Sequence, residues 1–240
     1  MTDLKEALLC NSISPTSMQI VFPYIAVALT ALITVFHHSG LKRRFGDAKG
    51  MWLYFVLFFL SFVAVPTLII VVVEPNPLQV LSNLGADPGN YKVGVLLMLL
   101  AFPITVLVGH LAANTAEMNE WYPFSKEVCA RDGAFAAYEL GYILLYYSAW
   151  EFLYRGVLFF PLLNGFGFLP AMAITTALST LHHIGHPKPE IVGAVVAGVL
   201  FGFVALLTRS IIYPIAIHAM VGVSVDTFIY QRNYRGSSGR

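Results

Sequence analysis

The sequence predicts an all-α protein, a polytopic bundle of about seven transmembrane helices. Of its 240 residues, 58% are hydrophobic and only 11% are charged, and the mean hydropathy is +0.73. A soluble domain of this size cannot bury that much apolar surface. The apolar residues also form runs of about 20, which is the length that a helix needs to cross a bilayer. We therefore expect residues 1–240 to form a single membrane domain.

Seven segments are long and apolar enough to be spans, and the last four are joined by very short connections. Short loops place antiparallel helices side by side in one bundle. A longer stretch of residues, 115–135, separates the third and fourth spans, and its Trp and Tyr predict a segment lying at the membrane interface. In chain order, the predicted spans are Met18–His38, Met51–Val73, Lys92–Asn114, Ala136–Phe160, Pro161–His182, Ile191–Thr208 and Ser210–Tyr230.

The orientation in the membrane follows from two basic segments, the loop "GLKRRFGDAK" and the tail "QRNYRGSSGR". Seven spans place both segments on the same side of the membrane. The positive-inside rule predicts that this side is the cytoplasm, with the amino terminus outside. The first ten residues lack the basic start and short apolar run of a cleaved signal peptide.

Charge and cysteine content exclude several classes of protein. The formal net charge of +1 gives no reason to expect nucleic-acid binding. Cys10 and Cys129 lie too far apart for a ligand spacing, so both are predicted to be free thiols. The chain also lacks a nucleotide-binding loop and the zinc-protease and serine-hydrolase motifs.

Ionisable residues inside the predicted spans are the strongest indication of function. Glu151 and Arg155 lie four residues apart in the fourth span, on one face of a helix. Charges at this depth are costly, so they normally face the bundle interior and pair with one another. Mutual neutralisation would explain an isolated pair. His183 and His218 lie on two further spans, and polar groups from three neighbouring helices favour a functional site.

Other polar residues are additional candidates for the site. His182 precedes His183, and Glu190 starts the sixth span. Two prolines between His183 and Glu190 must interrupt the helix, which leaves open whether Glu190 folds back over the site. Asp226 follows His218 by two turns. Glu139 lies about 18 Å along the helix from Glu151, too far to share a site. The remaining histidines are interpreted as interfacial or core residues: His37, His38, His110 and His186.

Three motifs on successive helices resemble the CAAX protease and bacteriocin-processing (CPBP, or Abi) family of intramembrane endopeptidases. That family carries EExxxR, then FxxxH, then HxxxN or a similar polar residue. In this chain "WEFLYRG" matches the first motif at Glu151 and Arg155, "STLHH" the second at His183, and "HAMVG" the third at His218. The resemblance covers residues 136–230, the expected catalytic core, and implies an integral protein of a bacterial plasma membrane.

The chain departs from the family pattern at three positions. Trp150 replaces the first glutamate, Ser179 replaces the phenylalanine, and Gly222 stands where the third motif often has asparagine. In the family that asparagine helps to hold the developing oxyanion.

Peptide hydrolysis requires an activated water and groups that stabilise an oxyanion. Glu151 is the predicted base, with Arg155 as its charge partner. His183 would bind the water, and His218 would stabilise the oxyanion or protonate the leaving amine. Alternatively, Glu151, His183 and His218 would suit Zn²⁺ with one open position, as in a metalloendopeptidase. A third alternative uses Glu190 as the missing second carboxylate.

The resemblance predicts an intramembrane endopeptidase that acts on a membrane-associated protein or peptide, with a prenylated or a leader-bearing substrate as the two options. Trp150 and Gly222 motivate a rival hypothesis, a non-catalytic relative that acts as a membrane binding or chaperone protein. The intramembrane ionisable residues motivate a third, a small proton-coupled transporter. The sequence leaves the oligomeric state open.

Overall fold

A computed structural model describes residues 15–131 and 133–234. Within these ranges the chain forms helices and no strand, which confirms the predicted all-α bundle. Cys10, the first ten residues and most of the basic tail lie outside the described residues, so the predictions made for them stay predictions.

The amino-terminal half consists of three long helices joined by two short ones. The helix at Asp47–Val73 contains a π-helical turn at Leu60–Ala64, and Pro66 follows this turn. The elements are α1 (Pro15–Thr34), α2 (His38–Phe45), α3 (Asp47–Val73), α4 (Pro77–Asn83) and α5 (Tyr91–Ala113).

The carboxyl-terminal half begins with two short helices and continues with four longer ones. The short helices belong to the segment expected at the interface, yet Tyr122, Phe124 and Ser125 are buried against the bundle. The elements are α6 (Ala116–Trp121), α7 (Lys126–Cys129), α8 (residues 134–166), α9 (Phe168–Leu181), α10 (Lys188–Thr208) and α11 (Ile212–Asn233).

Helix α8 is one continuous helical run with two π-helical stretches, Tyr142–Tyr147 and Phe152–Leu158. It continues through Pro161, so the predicted boundary between the fourth and fifth spans was wrong. Pro161 follows closely after a π-helical stretch, where the regular hydrogen-bond ladder is already shifted and tolerates a missing N–H. The helix ends at Gly167, whose φ of 82° is the conformation that favours glycine.

Within the described residues, five helices are long and apolar enough to cross a membrane: α1, α3, α5, α10 and α11. Helix α9 is apolar but has only 14 residues, which extend about 21 Å and fall short of a 30 Å hydrocarbon core. The fifth predicted span is therefore shorter than expected, because Gly167 rather than Pro161 starts it. Helix α8 carries the buried charges of the site.

Aromatic packing fixes one face of α8 against α3. Phe55 stacks on Tyr142 at 4.9 Å between ring centroids, and Phe58 stacks on Trp150 at 5.9 Å. Such ring pairs pack with defined geometry and contribute beyond their buried area. The rest of α8 contacts α9, α10 and α11, so the residues on that side, Glu151 among them, meet side chains from these three helices.

Candidate active site

Glu151 is the centre of a buried group that joins α8 to α11. Its side chain is 0% exposed. Oε1 lies 2.7 Å from Nδ1 of His218, and Oε2 lies 3.2 Å from Nε of Arg155, one turn further along α8. A carboxylate beside a guanidinium only accepts hydrogen bonds, which assigns the His218 proton to Nδ1. Nε2 of a neutral His218 then has a free lone pair.

A second pair of groups, His183 and Glu190, lies where the chain passes from α9 to α10. Nδ1 of His183 donates to the carbonyl oxygen of Ser179 at 2.7 Å, and Nε2 lies 3.6 Å from Oε1 of Glu190. The same Glu190 oxygen accepts a hydrogen bond from Nδ1 of His186 at 2.9 Å. Glu190 therefore folds back over His183, which settles the point that the prolines left open.

Both groups border one cavity of about 650 Å³, a size typical of ligand sites. Arg155, His183, Glu190 and His218 supply its charged and imidazole side chains. Glu151 is not one of the lining residues: it lies behind His218 and Arg155. The rest of the wall is mostly apolar and comes largely from α5 and α10, including Leu97, Leu100, Ile104, Val196, Leu200 and Phe203.

Three buried polar atoms of these groups have no hydrogen-bond partner among the described residues: Glu151 Oε2, Arg155 Nη1 and Glu190 Oε2. Nη2 of Arg155 makes only a long contact, 3.5 Å to the carbonyl oxygen of Gly198. Buried polar groups normally find partners, since leaving them unbonded is costly. Arg155 and Glu190 line the cavity, so their unbonded atoms are the candidates for binding water or a polar substrate group, whereas Oε2 of Glu151 faces the Arg155 guanidinium.

Trp150 occupies the position of the family's first glutamate and separates the two imidazoles. Its ring lies 4.7 Å from the His183 ring and 6.2 Å from the His218 ring, between centroids. The indole thus forms an apolar wall of the cavity where the motif would place a carboxylate. Glu190, which comes from another helix, is the carboxylate that faces the cavity.

Residues 135–224 match the family of Rce1-like type II CAAX prenyl endopeptidases. The match confirms the resemblance to the CAAX protease and bacteriocin-processing family that the motifs predicted. It runs from the start of α8 into α11 and includes every residue of the two groups described above. Comparisons with the curated proteins and with the solved structures gave no match.

The long apolar helices support an integral membrane protein, and residues 135–224 are similar to type II CAAX prenyl endopeptidases. The matched region does not extend to helices α1–α7. Those helices nevertheless contribute to the site, because α5 forms much of the apolar cavity wall.

The other predicted site residues lie away from the cavity lining. His182 stacks on Trp150 at 4.8 Å, and its Nδ1 lies 2.9 Å from the Tyr154 hydroxyl. Asp226 accepts a hydrogen bond from the Tyr138 hydroxyl at 2.8 Å, and Glu139 lies in the same region of α8. Neither carboxylate lines the cavity.

The residues do not fit the zinc hypothesis. Among the described residues, no group of three or more His, Cys, Asp or Glu side chains is arranged to hold a metal ion. The oxygens of Glu151 face His218 Nδ1 and the Arg155 guanidinium, and a cationic neighbour disfavours a metal cation.

Sequence reasoning missed two residues at the site. His186, interpreted as interfacial, hydrogen bonds to Glu190. Tyr147 lines the cavity with its ring 4.7 Å from the His218 ring. A signal for Tyr147 was available, because it precedes Glu151 by four residues and so lies on the same helix face.

Proposed function

We propose that the protein is an intramembrane endopeptidase that hydrolyses a peptide bond of a membrane-associated protein or peptide. The observation that carries this proposal is the pairing of Glu151 with His218 at 2.7 Å, with the second imidazole nitrogen left for the cavity. The Rce1-like match supports the same reaction class.

In this proposal His218 is the base. Nε2 takes a proton from the water, whose oxygen adds to the carbonyl carbon of the substrate. The protonated His218 returns that proton to the leaving amine as the C–N bond breaks. Glu151 holds the ring through Nδ1 and stabilises the imidazolium that forms in between, as buried carboxylates do behind catalytic imidazoles. Glu151 thus acts through His218, because it lies behind the cavity wall.

His183 and Glu190 orient the attacking water. The Nδ1 of His183 is occupied by the Ser179 carbonyl, so Nε2 accepts a hydrogen bond, and the unbonded Oε2 of Glu190 is a second acceptor beside it. Nε2 of His218 takes one of the two water hydrogens, so these acceptors hold the other one in place. Arg155 offers the unbonded Nη1 to the oxygen that becomes negative when water adds.

The apolar wall of the cavity supports a substrate that reaches the site from the membrane. Leu100 and Ile104 on α5 and Leu200 and Phe203 on α10 both line the cavity and are exposed at the outer surface of the helices. A lipid-modified or hydrophobic peptide would bury apolar surface there. We propose a prenylated or a leader-bearing substrate, and a chain oriented with its amino terminus outside and its carboxyl terminus in the cytoplasm of a bacterial cell.

The test uses the full chain, purified and reconstituted in liposomes, with two probes: a prenylated peptide ending in a CAAX sequence and an unprenylated leader peptide. We expect a mass-defined cleavage product from one of them. Replacing His218→Asn should lower kcat by about 10³–10⁴, the upper range for general acid–base catalysis. His110→Asn is the matched control, because His110 lies on α5 against Phe228, away from the cavity.

Two results would reject the proposal. One is cleavage by His218→Asn at the parent rate. The other is that the parent protein cleaves neither peptide. In that case, peptide binding without cleavage would favour the binding or chaperone relative. Proton flux that depends on Glu151 would favour the transporter. The reaction as proposed needs no metal, so incubation with a strong chelator should leave kcat unchanged, whereas loss restored by Zn²⁺ would support the metalloendopeptidase alternative.

A further inference from the structure

At the cavity, Tyr147 packs so closely against residue 222 that only glycine fits at that position. A Cβ atom on Gly222 would lie 1.6 Å from the Tyr147 hydroxyl oxygen and 2.5 Å from its Cζ. Both distances are far below van der Waals contact, so any side chain at position 222 would displace the phenol. The Tyr147 hydroxyl thus occupies the space in which a side chain of residue 222 would begin.

Tyr147 lies beside the proposed base, with its ring 4.7 Å from the His218 ring between centroids. Tyr147 ends the π-helical stretch of α8 and lies one turn before Glu151. It lines the cavity together with Gly222 and His218, and its side chain is otherwise buried. The Tyr142 ring packs against the Tyr147 ring at 4.3 Å between centroids.

We propose that Tyr147 is a catalytic residue whose hydroxyl donates a hydrogen bond to the oxyanion; this inference rests on the proposed endopeptidase function. When water adds to the carbonyl carbon, the C=O π electrons move to the oxygen, which accepts a hydrogen bond from Tyr147. When the C–N bond breaks, the electron pair returns to form C=O. Tyr147 keeps its proton throughout, so His218 remains the group that transfers protons.

This assignment explains how a chain with glycine at position 222 can still have an oxyanion donor. The family motif often carries a polar side chain at this position, and its absence is one reason to suspect an inactive relative. Here a hydroxyl from α8 fills the same space that the side chain from α11 would fill. A phenol held between packed helices is already oriented, so it stabilises the developing charge without reorganisation.

The first experiment replaces Tyr147→Phe, which removes the oxygen and keeps the ring. We expect kcat for the cleaved probe peptide to fall by about 10²–10³, the range for loss of one oxyanion donor, with KM changed by less than about threefold. Tyr213→Phe is the control, because it removes a hydroxyl that donates to the carbonyl oxygen of Pro88, away from the cavity. Thermal unfolding in detergent checks that both variants fold.

A second pair of variants tests the fit between the two residues. Gly222→Ala removes no polar atom, yet its methyl group must displace the Tyr147 hydroxyl, so kcat should fall while KM holds. The double variant Tyr147→Ala with Gly222→Asn returns a polar donor to the vacated space. We expect its kcat to exceed that of Tyr147→Ala alone by about tenfold or more, part of what one donor contributes.

The outcomes separate this inference from the proposed function. If Tyr147→Phe keeps the parent kcat while His218→Asn loses it, Tyr147 is not the oxyanion donor and the endopeptidase proposal stands. A rise in KM with kcat unchanged would assign Tyr147 to substrate packing and would also overturn the inference. If the parent protein hydrolyses neither peptide, both proposals fail together.

Discussion

The bundle contains two buried clusters with two carboxylates each, and both clusters include residues of α8 and α11. The cavity cluster comprises Glu151, Arg155, His183, Glu190 and His218. The closed cluster comprises Tyr138, Glu139 and Asp226. In each, α8 supplies a glutamate and α11 supplies its neighbour. Only the cavity cluster forms ion pairs within the described residues and borders a cavity.

The difference teaches that a carboxylate within a membrane bundle does not by itself indicate a site. In the closed cluster the Tyr138 hydroxyl donates a hydrogen bond to Asp226 at 2.8 Å. Both Glu139 oxygens are buried without a hydrogen bond among the described residues. What distinguishes the cavity cluster is a set of nitrogen donors that orient each carboxylate, together with space for a substrate beside them.

The largest difference in kcat is expected between Glu151→Gln and Asp226→Asn, which each neutralise one carboxylate, the first in the cavity cluster and the second in the closed cluster. Glu151→Gln removes the charge that stabilises the His218 imidazolium, so kcat should fall by about 10³. Asp226→Asn keeps an acceptor for Tyr138, and kcat should stay within about threefold of the parent. Initial rates of peptide cleavage measure both. Equal losses in the two variants would erase the functional distinction between the clusters.

A substitution of Arg155 tests the same comparison through the free energy of unfolding. Arg155→Gln leaves the Glu151 carboxylate buried without its countercharge, and breaking a buried ion pair in this way costs about 3–5 kcal/mol. The free energy of unfolding in a detergent titration measures the effect. Exposed Arg44 on α2 offers the control, since Arg44→Gln removes an exposed cation and should change stability by less than about 0.5 kcal/mol. If both substitutions changed the free energy of unfolding equally, the Glu151–Arg155 ion pair would contribute nothing to stability.

Glu190 and Glu139 give a third, smaller contrast. Glu190→Gln keeps one acceptor for water but loses the charge beside His183, so kcat should fall by about 10². Glu139→Gln alters a side chain away from the cavity and should leave kcat unchanged. Single-turnover cleavage separates this chemical effect from product release. If Glu190→Gln cleaved at the parent rate in a single turnover, Glu190 would have no part in the mechanism and His183 alone would orient the water.

The smallest effect concerns Cys129, next to the closed cluster. Burial raises the pKa of the Cys129 thiol to about 12, and the nearby carboxylates of Asp226 and Glu139 add to the rise. The reactive form is the thiolate, so a raised pKa means slow alkylation at pH 8 and faster reaction as the pH increases. In a Cys10→Ser background, iodoacetamide should label Cys129 far more slowly in folded than in unfolded protein. Equal rates would show that the thiol is not shielded.

The amino-acid sequence was sufficient for the class of fold and for naming the five residues of the cavity cluster, but not for Tyr147 or His186. Uninterrupted apolar runs of about 20 residues have the length of transmembrane helices, in which every backbone polar group is bonded within the segment. Glu151 and Arg155 were predictable as neighbours, because a spacing of four residues places them on one helix face.

Tertiary structure decided how those residues are arranged. Sequence spacing does not show that Glu151 lies behind His218, that Glu190 folds back over His183, or that Asp226 bonds to Tyr138 instead. Each depends on how helices far apart in the chain rotate and approach one another. The pairing of Tyr147 with Gly222 is the clearest case: a missing side chain on one helix has meaning only beside the hydroxyl of another, because close-packed helices fix which atoms share a given space.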